Sequence, residues 1–320
     1  MLTIVAYSLL AVLILLSILF GAFTWWVLRI HSKNIERGLE AKPLFLADAG
    51  EPVADAVPLE LRTADGRKVA GSYLNHTGNK RRGVILFFHE YGATRWMADP
   101  YVGYLRPLGF DVVTIDFCGS GESPAVKGYE SFQWPTQYEL SDAKAALAYV
   151  KSRADLANVP VGVFGVSKGG GVAIALAAED PSIKGIVTDG AFPVHRMIIH
   201  FSMQFIEIFS TSQWIYAYLP RWYYAMIVGI AIRRIERKKH VHYLTIERAM
   251  KTISGRPILM INGQKDNYIK SDLIAELLAG ISEPKELWIV PKAKHNRCLE
   301  REGENYRKKV GTFFVNAFPS

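Results

Sequence analysis

The chain has 320 residues, of which 50% are hydrophobic and 21% are charged, and its formal net charge at pH 7 is +8. This composition excludes a disordered chain and a membrane protein with many spans, and the length suits one large α/β domain or two small ones. The chain has two cysteines, Cys118 and Cys298, which are too few for a disulfide framework.

The first predicted element is a helix of about 25 residues over Ile4–Leu28, a stretch without a charged side chain. At about 1.5 Å per residue it is roughly 37 Å long, enough to cross a ~30 Å hydrocarbon core. A cleaved secretory signal needs a basic start and a short apolar stretch, and this segment has neither. We therefore expect residues 1–30 to be a retained transmembrane anchor and residues 31–57 to be a juxtamembrane linker.

Positive charges follow this span and do not precede it, as Arg29, Lys33, Arg37 and Lys42 show. Because cytoplasmic flanks are enriched in Lys and Arg, we expect a single-pass protein whose remaining chain lies in the cytoplasm.

The rest of the chain alternates between predicted strands and predicted helices. A turn at Asp65-Gly66 joins two half-alternating runs, which is typical of a hairpin. Later apolar runs predict buried strands at Gly83–Phe88, Phe110–Asp116, Val159–Val166, Ile183–Asp189, Pro257–Asn262 and Glu286–Val290. Helical patterns lie between most of them, as in Ser141–Ala154, Gly171–Glu179 and Ser271–Gly280. This order predicts a parallel sheet with helices on both faces.

A long insertion, about residues 193–256, interrupts the alternation. It is rich in aromatic residues and holds ten Lys and Arg against three Glu, so it accounts for nearly all of the basic excess. Its basic run consists of Arg233, Arg234, Arg237, Lys238 and Lys239. Two interpretations of this basic run stay open. It is part of an element that binds anionic lipid headgroups, or it is a solvated face beside aromatic residues that pack in an ordinary core.

The segment Gly165-Val166-Ser167-Lys168-Gly169 fits the pattern G-x-S-x-G between a predicted strand and a predicted helix. The glycines permit the sharp turn that exposes the serine, and the backbone N–H of Lys168 can face a developing oxyanion. Ser167 is therefore the candidate nucleophile.

A serine nucleophile needs a base and an acid that orients the base. His295 follows the last predicted strand and Asp266 follows the strand before it, in the chain order expected of this motif. Asp189, after the strand that follows the nucleophile, is the alternative acid. Asp142, at the start of a predicted helix, is expected to cap that helix.

These motifs resemble those of the α/β-hydrolases, in the serine-aminopeptidase-like and lysophospholipase-like branch. The resemblance implies that His89 is structural and that Tyr91 supplies the second oxyanion donor. It also implies that the insertion is a lid and that residues 58–320 form the α/β-hydrolase domain. Two positions depart from the family pattern: Glu90 replaces a glycine, and Cys118 replaces an arginine. Asp116, two residues before Cys118, is expected to be structural.

The sequence thus predicts a membrane-anchored serine hydrolase that cleaves a carboxylic ester, with a lipid-like acyl substrate preferred. Thioester or peptide hydrolysis and a non-catalytic membrane scaffold remain alternatives. The sequence shows no cofactor motif, metal-ligand pattern or nucleic-acid-binding pattern, so the expected partners are a small-molecule or lipid ester and the membrane. It does not indicate an oligomeric state.

Overall fold

The computed structural model describes residues 2–40, 47–209, 218–253 and 255–318. Residues 41–46 of the predicted linker and residues 210–217 of the predicted lid lie outside these ranges. The chain divides into two compact units. The helical unit contains Met1–Ala41 and Ile198–His240, and the sheet unit contains Lys42–Met197 and Val241–Ser320.

The sheet unit contains one eight-stranded sheet with the spatial order β1-β2-β4-β3-β5-β6-β7-β8. The strands are β1 Val57–Arg62, β2 Lys68–Leu74, β3 Gly83–Phe88, β4 Phe110–Ile115, β5 Val161–Val166, β6 Ile183–Asp189, β7 Ile258–Gly263 and β8 Lys285–Val290. β2 pairs antiparallel with β1 and β4, and every other pair is parallel. The predicted α/β-hydrolase fold is confirmed.

The described residues form ten α-helices across the two units. They are α1 Leu2–Glu40, α2 Ala98–Val102, α3 Gln137–Ser152, α4 Lys168–Glu179, α5 Val194–Phe209, α6 Arg221–Lys239, α7 Ile246–Thr252, α8 Ser271–Ala279, α9 Cys298–Glu302 and α10 Glu304–Ala317.

The helix α3 begins one turn earlier than its apolar pattern predicts. Thr136 and Glu139 form a capping box, in which each side chain bonds the backbone N–H at the other's position. The prediction that Asp142 caps this helix is therefore wrong. Asp142 lies inside α3, fully buried, and accepts a 2.8 Å hydrogen bond from Arg67 and a 2.7 Å bond from the Cys118 N–H. Burial raises the pKa of Asp142 to about 7, although Arg67 opposes the shift.

The core of the sheet unit explains why the central strands read as continuous apolar runs. Every residue of β3, β4, β5 and β7 is buried. Phe87 and Phe164 lie on paired strands with ring centroids 5.9 Å apart, and Phe110 packs edge-on against Phe318 beyond α10. Full burial of one such side chain contributes roughly 1.5–3 kcal/mol, so this layer fixes the sheet on which the loops stand.

The helical unit contains α1, most of α5 and all of α6. Within the described ranges, one stretch, Thr3–His31 of α1, is long and apolar enough to cross a membrane. The grouping of Ile198–His240 with α1 does not test the predicted lid role, which stays a prediction.

Candidate active site

The three predicted catalytic side chains all follow parallel strands of the sheet at their carboxyl ends. Ser167 directly follows β5, Asp266 comes three residues after β7, and His295 comes five residues after β8. Loops at this edge of a parallel sheet meet in space, which is why such edges hold ligand sites in open α/β folds.

A strained turn holds Ser167 between β5 and α4. Its φ of 50° and ψ of −113° lie in a region that L-residues rarely adopt. A side chain at Gly165 would collide with the Gly169 carbonyl, and a side chain at Gly169 would collide with the Phe88 carbonyl. The two glycines are thus required by the close approach of the turn to α4 and β3.

Three side chains form a continuous hydrogen-bonded chain at this edge. Ser167 Oγ lies 3.1 Å from His295 Nε2, and His295 Nδ1 lies 2.7 Å from Asp266 Oδ2. The other carboxylate oxygen, Asp266 Oδ1, accepts the backbone N–H groups of Tyr268 and Ile269, both at 2.8 Å. Because the backbone fixes one oxygen, the second oxygen points to the imidazole.

Asp189, the alternative acid, takes a different place in the structure. Its carboxyl Oδ2 accepts the Tyr306 hydroxyl at 2.9 Å, while its backbone carbonyl accepts the Ser167 N–H at 2.7 Å. Burial raises the pKa of Asp189 to about 7, with the Tyr306 hydrogen bond opposing the shift. Asp189 thus supports the turn through its backbone, and Asp266 is the carboxylate bonded to His295.

The loop after β3 carries His89 and the predicted oxyanion donor Tyr91. His89 Nε2 accepts the Phe117 N–H at 3.2 Å, so its Nδ1 is the nitrogen that donates to the Glu90 carbonyl, 2.7 Å away. Burial lowers the pKa of His89 to about 4, which keeps the ring neutral. Both ring nitrogens are occupied by backbone groups, an arrangement that suits a structural residue.

Glu90, which stands where the family has a glycine, lies in this loop and is buried. Its carboxylate accepts a hydrogen bond from the Asn296 amide, one residue after His295. Burial raises the pKa of Glu90, whereas Asn296 and the nearby His295 act in the opposite direction. The Glu90–Asn296 bond joins the loop after β3 to the loop that carries His295.

Lys168 supplies a backbone N–H at the start of α4, and its side chain runs into the interior. The Nζ atom donates to Glu139 at 2.7 Å and to Ser131 at 3.0 Å, with both charged side chains almost fully buried. It also lies 6.0 Å from the Tyr91 ring. Burial alone would raise the pKa of Glu139, but the Lys168 ammonium and neighbouring hydroxyls hold it below its usual range.

Cys118 stands where the family has an arginine, and Asp116 pairs with an arginine from another part of the chain. The buried Arg95 guanidinium pairs with Asp116, and the Arg95 N–H donates to the same carboxylate at 2.7 Å. Asp116 also accepts the Glu122 N–H at 2.9 Å. These contacts fit the structural role expected of Asp116.

Glu139 and Asn296 were not predicted from the sequence. Glu139 carried a usable signal, because Thr136 three residues before it completes a capping-box pattern. Asn296 carried none, since its partner Glu90 is 206 positions away in the chain.

Curated relatives match most of the chain. An uncharacterized protein of Mycobacterium tuberculosis, Rv2307c, is 26% identical over 257 residues, covering 80% of this chain and 77% of the relative. The protein bem46 of Schizosaccharomyces pombe is 24% identical over 269 residues, covering 80% of this chain and 76% of the relative.

Among solved structures, the Pyrococcus furiosus esterase Pf2001 superposes with a TM-score of 0.64 at 21% identity, covering 87% of this chain and 99% of that one. A dienelactone hydrolase from Anabaena variabilis superposes with a TM-score of 0.55 at 18% identity, covering 82% and 96%. These likenesses support the fold.

A family model described as serine aminopeptidase, S33, matches residues 79–250, more than half of the chain. The matched range includes the loop after β3, the Ser167 turn and α4. The chain therefore belongs to the serine aminopeptidase S33 family of α/β-hydrolases.

Proposed function

We propose that this protein is a membrane-anchored serine hydrolase that cleaves carboxylic esters through an acyl-enzyme. The observation that carries the proposal is the chain of contacts from Asp266 through His295 to Ser167, at 2.7 Å and 3.1 Å. A serine hydroxyl becomes a useful nucleophile only when a base removes its proton, and this geometry provides the base and its orienting carboxylate.

In the proposed mechanism, Ser167 Oγ attacks the acyl carbonyl carbon while His295 Nε2 takes the hydroxyl proton. Asp266 holds the imidazole orientation and stabilises its cationic form. The N–H groups of Tyr91 and Lys168 stabilise the oxyanion of the tetrahedral intermediate. The intermediate collapses, the alcohol leaves with the proton from His295, and water activated by the same histidine releases the acid.

An apolar acyl group is the preferred substrate part because two buried aromatic residues adjoin, in the chain, residues that lie against the start of α4. Gly170 lies against Ala191, and Gly171 lies against Pro135. Phe192 follows Ala191 in the chain and Trp134 precedes Pro135, and both aromatic side chains are buried. The two aromatic side chains, Trp134 and Phe192, meet edge to face with centroids 5.6 Å apart. Apolar walls beside a few polar groups are typical of small-molecule sites. The fold similarity to an esterase supports the same choice.

The anchor in this proposal is α1. Its stretch Thr3–His31 has the length and composition of a span, and its side chains from Ile4 to Phe20 are largely exposed. In cell membranes, the full chain should resist alkaline carbonate extraction, and a chain without residues 1–30 should be released. Release of both chains would refute the anchor, and digestion of the sheet unit by protease added to intact cells would refute its cytoplasmic side.

Labelling with a fluorophosphonate probe tests the hydrolase. Wild type should be labelled, and Ser167→Ala should not, since the probe reacts with an activated serine. Equal labelling of both proteins would refute the proposed nucleophile. His295→Ala should abolish turnover while the unfolding midpoint stays near that of wild type.

A substrate panel separates ester hydrolysis from the other activities of this fold. p-Nitrophenyl esters of increasing chain length should outperform acyl-CoA thioesters and aminoacyl amides, with a maximum at apolar chains longer than acetyl. The reverse order would favour a thioesterase or a peptidase, the latter being consistent with the family description. No turnover of any class together with no labelling would indicate a binding protein.

A further inference from the structure

The helical unit holds a second apolar element beside α1, namely α6. The Phe20 ring lies 6.3 Å from the Trp222 ring and 5.8 Å from the Tyr223 ring. Tyr223 also donates its hydroxyl to Thr24 Oγ1 at 3.3 Å. The first turn of α6 therefore packs against the part of α1 that is proposed to lie in the membrane.

The far end of α6 contacts the far end of α1. Lys238 pairs with Glu36, and Lys239 pairs with Glu40 at 2.9 Å. The aromatic contacts lie about 16 residues before these ion pairs on both helices. The two helices therefore run parallel. A residue on one helix lies at the same height as the residue about 200 positions away on the other.

The change from apolar to basic residues occurs at the same level on both helices. On α1 the first cations after the span are Arg29 and Lys33, and on α6 they are Arg233 and Arg234. The register given by these contacts places Arg233 level with the segment of α1 between Arg29 and Lys33. Both helices thus present their charge at one boundary.

One face of α6 points away from the packing with α1, and we name it the α6 stripe. It consists of Ala225, Met226, Gly229, Ile230, Arg233, Arg234 and Arg237. These positions recur every three or four residues, so they share a helical face. Ala225 and the three arginines are exposed, and the other apolar members are half-buried. The stripe is apolar for its first turns and basic for the rest.

We propose that the α6 stripe is a second membrane contact, inserted into the leaflet that α1 enters from the side of the sheet unit. This inference rests on α1 being the proposed anchor. From Trp222 to Ile232 the helix rises about 15 Å, roughly the depth of one leaflet. Its apolar face contacts acyl chains, and its arginines contact the phosphates of anionic lipids.

The length of α1 sets how deeply α6 enters. The charge-free stretch Ile4–Leu28 is about 37 Å long and exceeds a ~30 Å hydrocarbon core by several residues. With the headgroup boundary at Arg233, the excess length of α1 lies at its start, and Arg221 stands level with residues 19–22 of α1. A charged side chain at that depth costs about 2.5–3.5 kcal/mol.

Site-directed spin labels on the full-length chain test this placement. The protein is reconstituted in vesicles of phosphatidylcholine and phosphatidylglycerol with a label at Ala225→Cys, and accessibility to oxygen and to a water-soluble nickel complex is compared. Leu13→Cys in α1 reports on the anchor, and Leu108→Cys, 40% exposed in the sheet unit, is the aqueous control. Unmutated protein gives the background, since Cys118 and Cys298 are buried.

We expect the oxygen-to-nickel ratio at Ala225→Cys to be several-fold higher than at Leu108→Cys and similar to that at Leu13→Cys. A lipid signal at Leu13→Cys with a water signal at Ala225→Cys would overturn this inference and leave the anchor intact. A water signal at Leu13→Cys would refute the anchor itself and this inference with it. Low access of both reagents to Ala225→Cys would mean that a protein surface covers the stripe, which also overturns the inference.

A second measurement tests the arginines. The triple change Arg233→Gln, Arg234→Gln and Arg237→Gln should shift the Ala225→Cys label toward water in anionic vesicles and have a smaller effect in neutral ones. The matched triple change Lys127→Gln, Lys184→Gln and Arg301→Gln removes three exposed charges from the sheet unit and should leave the label unchanged. Identical behaviour of the two triple variants would overturn the proposed contact with anionic lipid.

Discussion

The substitution Asp266→Asn is expected to block turnover while leaving the fold intact. The backbone N–H groups of Tyr268 and Ile269 both donate to Asp266 Oδ1 at 2.8 Å. An asparagine keeps these two bonds only if its carbonyl oxygen takes that position. Its amide group must then face His295, because the opposite orientation would lose two hydrogen bonds at about 1–3 kcal/mol each.

With the amide facing it, His295 Nδ1 has to accept a hydrogen bond. The proton of the neutral imidazole then sits on Nε2, the nitrogen that must take the proton from Ser167 at 3.1 Å. A histidine in this tautomer cannot act as the base. We expect kcat to fall by about 10⁴, equivalent to about 5.5 kcal/mol of transition-state stabilisation.

The assay is steady-state hydrolysis of the best p-nitrophenyl ester by the full-length protein, with the unfolding midpoint measured in parallel. Asp189→Asn is the matched control, because Asp189 bonds Tyr306 rather than His295. The control should keep kcat within about tenfold of wild type. An Asp266→Asn protein with more than a tenth of wild-type kcat, or a larger loss in Asp189→Asn, would refute the assignment of the acid.

Glu139→Gln should cost about 3–5 kcal/mol of unfolding free energy, because it leaves the Lys168 ammonium buried without a charged partner. Adding Lys168→Met should restore most of that loss in denaturant titrations, and a single variant within 1 kcal/mol of wild type would contradict the buried-pair argument. Asn296→Ala should lower kcat/KM by about 10–100-fold, since it removes the amide that Glu90 holds, whereas Glu90→Gln keeps an acceptor and most of the activity. Equal probe-labelling rates for these two variants would argue against the bridge. The pKa of the Asp189 carboxyl is about 7 in the folded chain against a usual value of 3.8. The stability that the protonated carboxyl contributes to the folded chain is fully present below the lower pKa. It is lost as the pH rises through the higher pKa. Asp189→Asn should therefore gain stability relative to wild type between pH 4 and pH 7, by at most about 1.4 kcal/mol per pH unit, and a constant difference would exclude this titration.

The strands could be predicted from the sequence because burial on both faces imposes a local pattern that composition reveals. Gly83–Phe88 and Ile183–Asp189 are strands with the predicted limits. The Ser167 turn could be found for a similar reason, since its steric requirement for glycine acts within five residues.

The remaining features depend on partners that are distant in the chain. The position of Asn296 is decided by Glu90, which only the folded sheet brings near. Asp142 follows a predicted helix start, yet its role is decided by Arg67, 75 positions away. The contacts of Lys238 and Lys239 with α1 reach back about 200 residues, so the sequence shows a basic run without showing which of its charges are paired.

The positive φ of Ser167 has a consequence for protein engineering. A residue in this region costs of order 1–3 kcal/mol unless it is glycine, so Ser167→Gly relaxes the backbone at the point where the hydroxyl is needed. Selection for thermal resistance alone would therefore favour loss of the nucleophile. A stabilised variant of this protein has to be selected for turnover and heat resistance together, because at this position the two demands call for different amino acids.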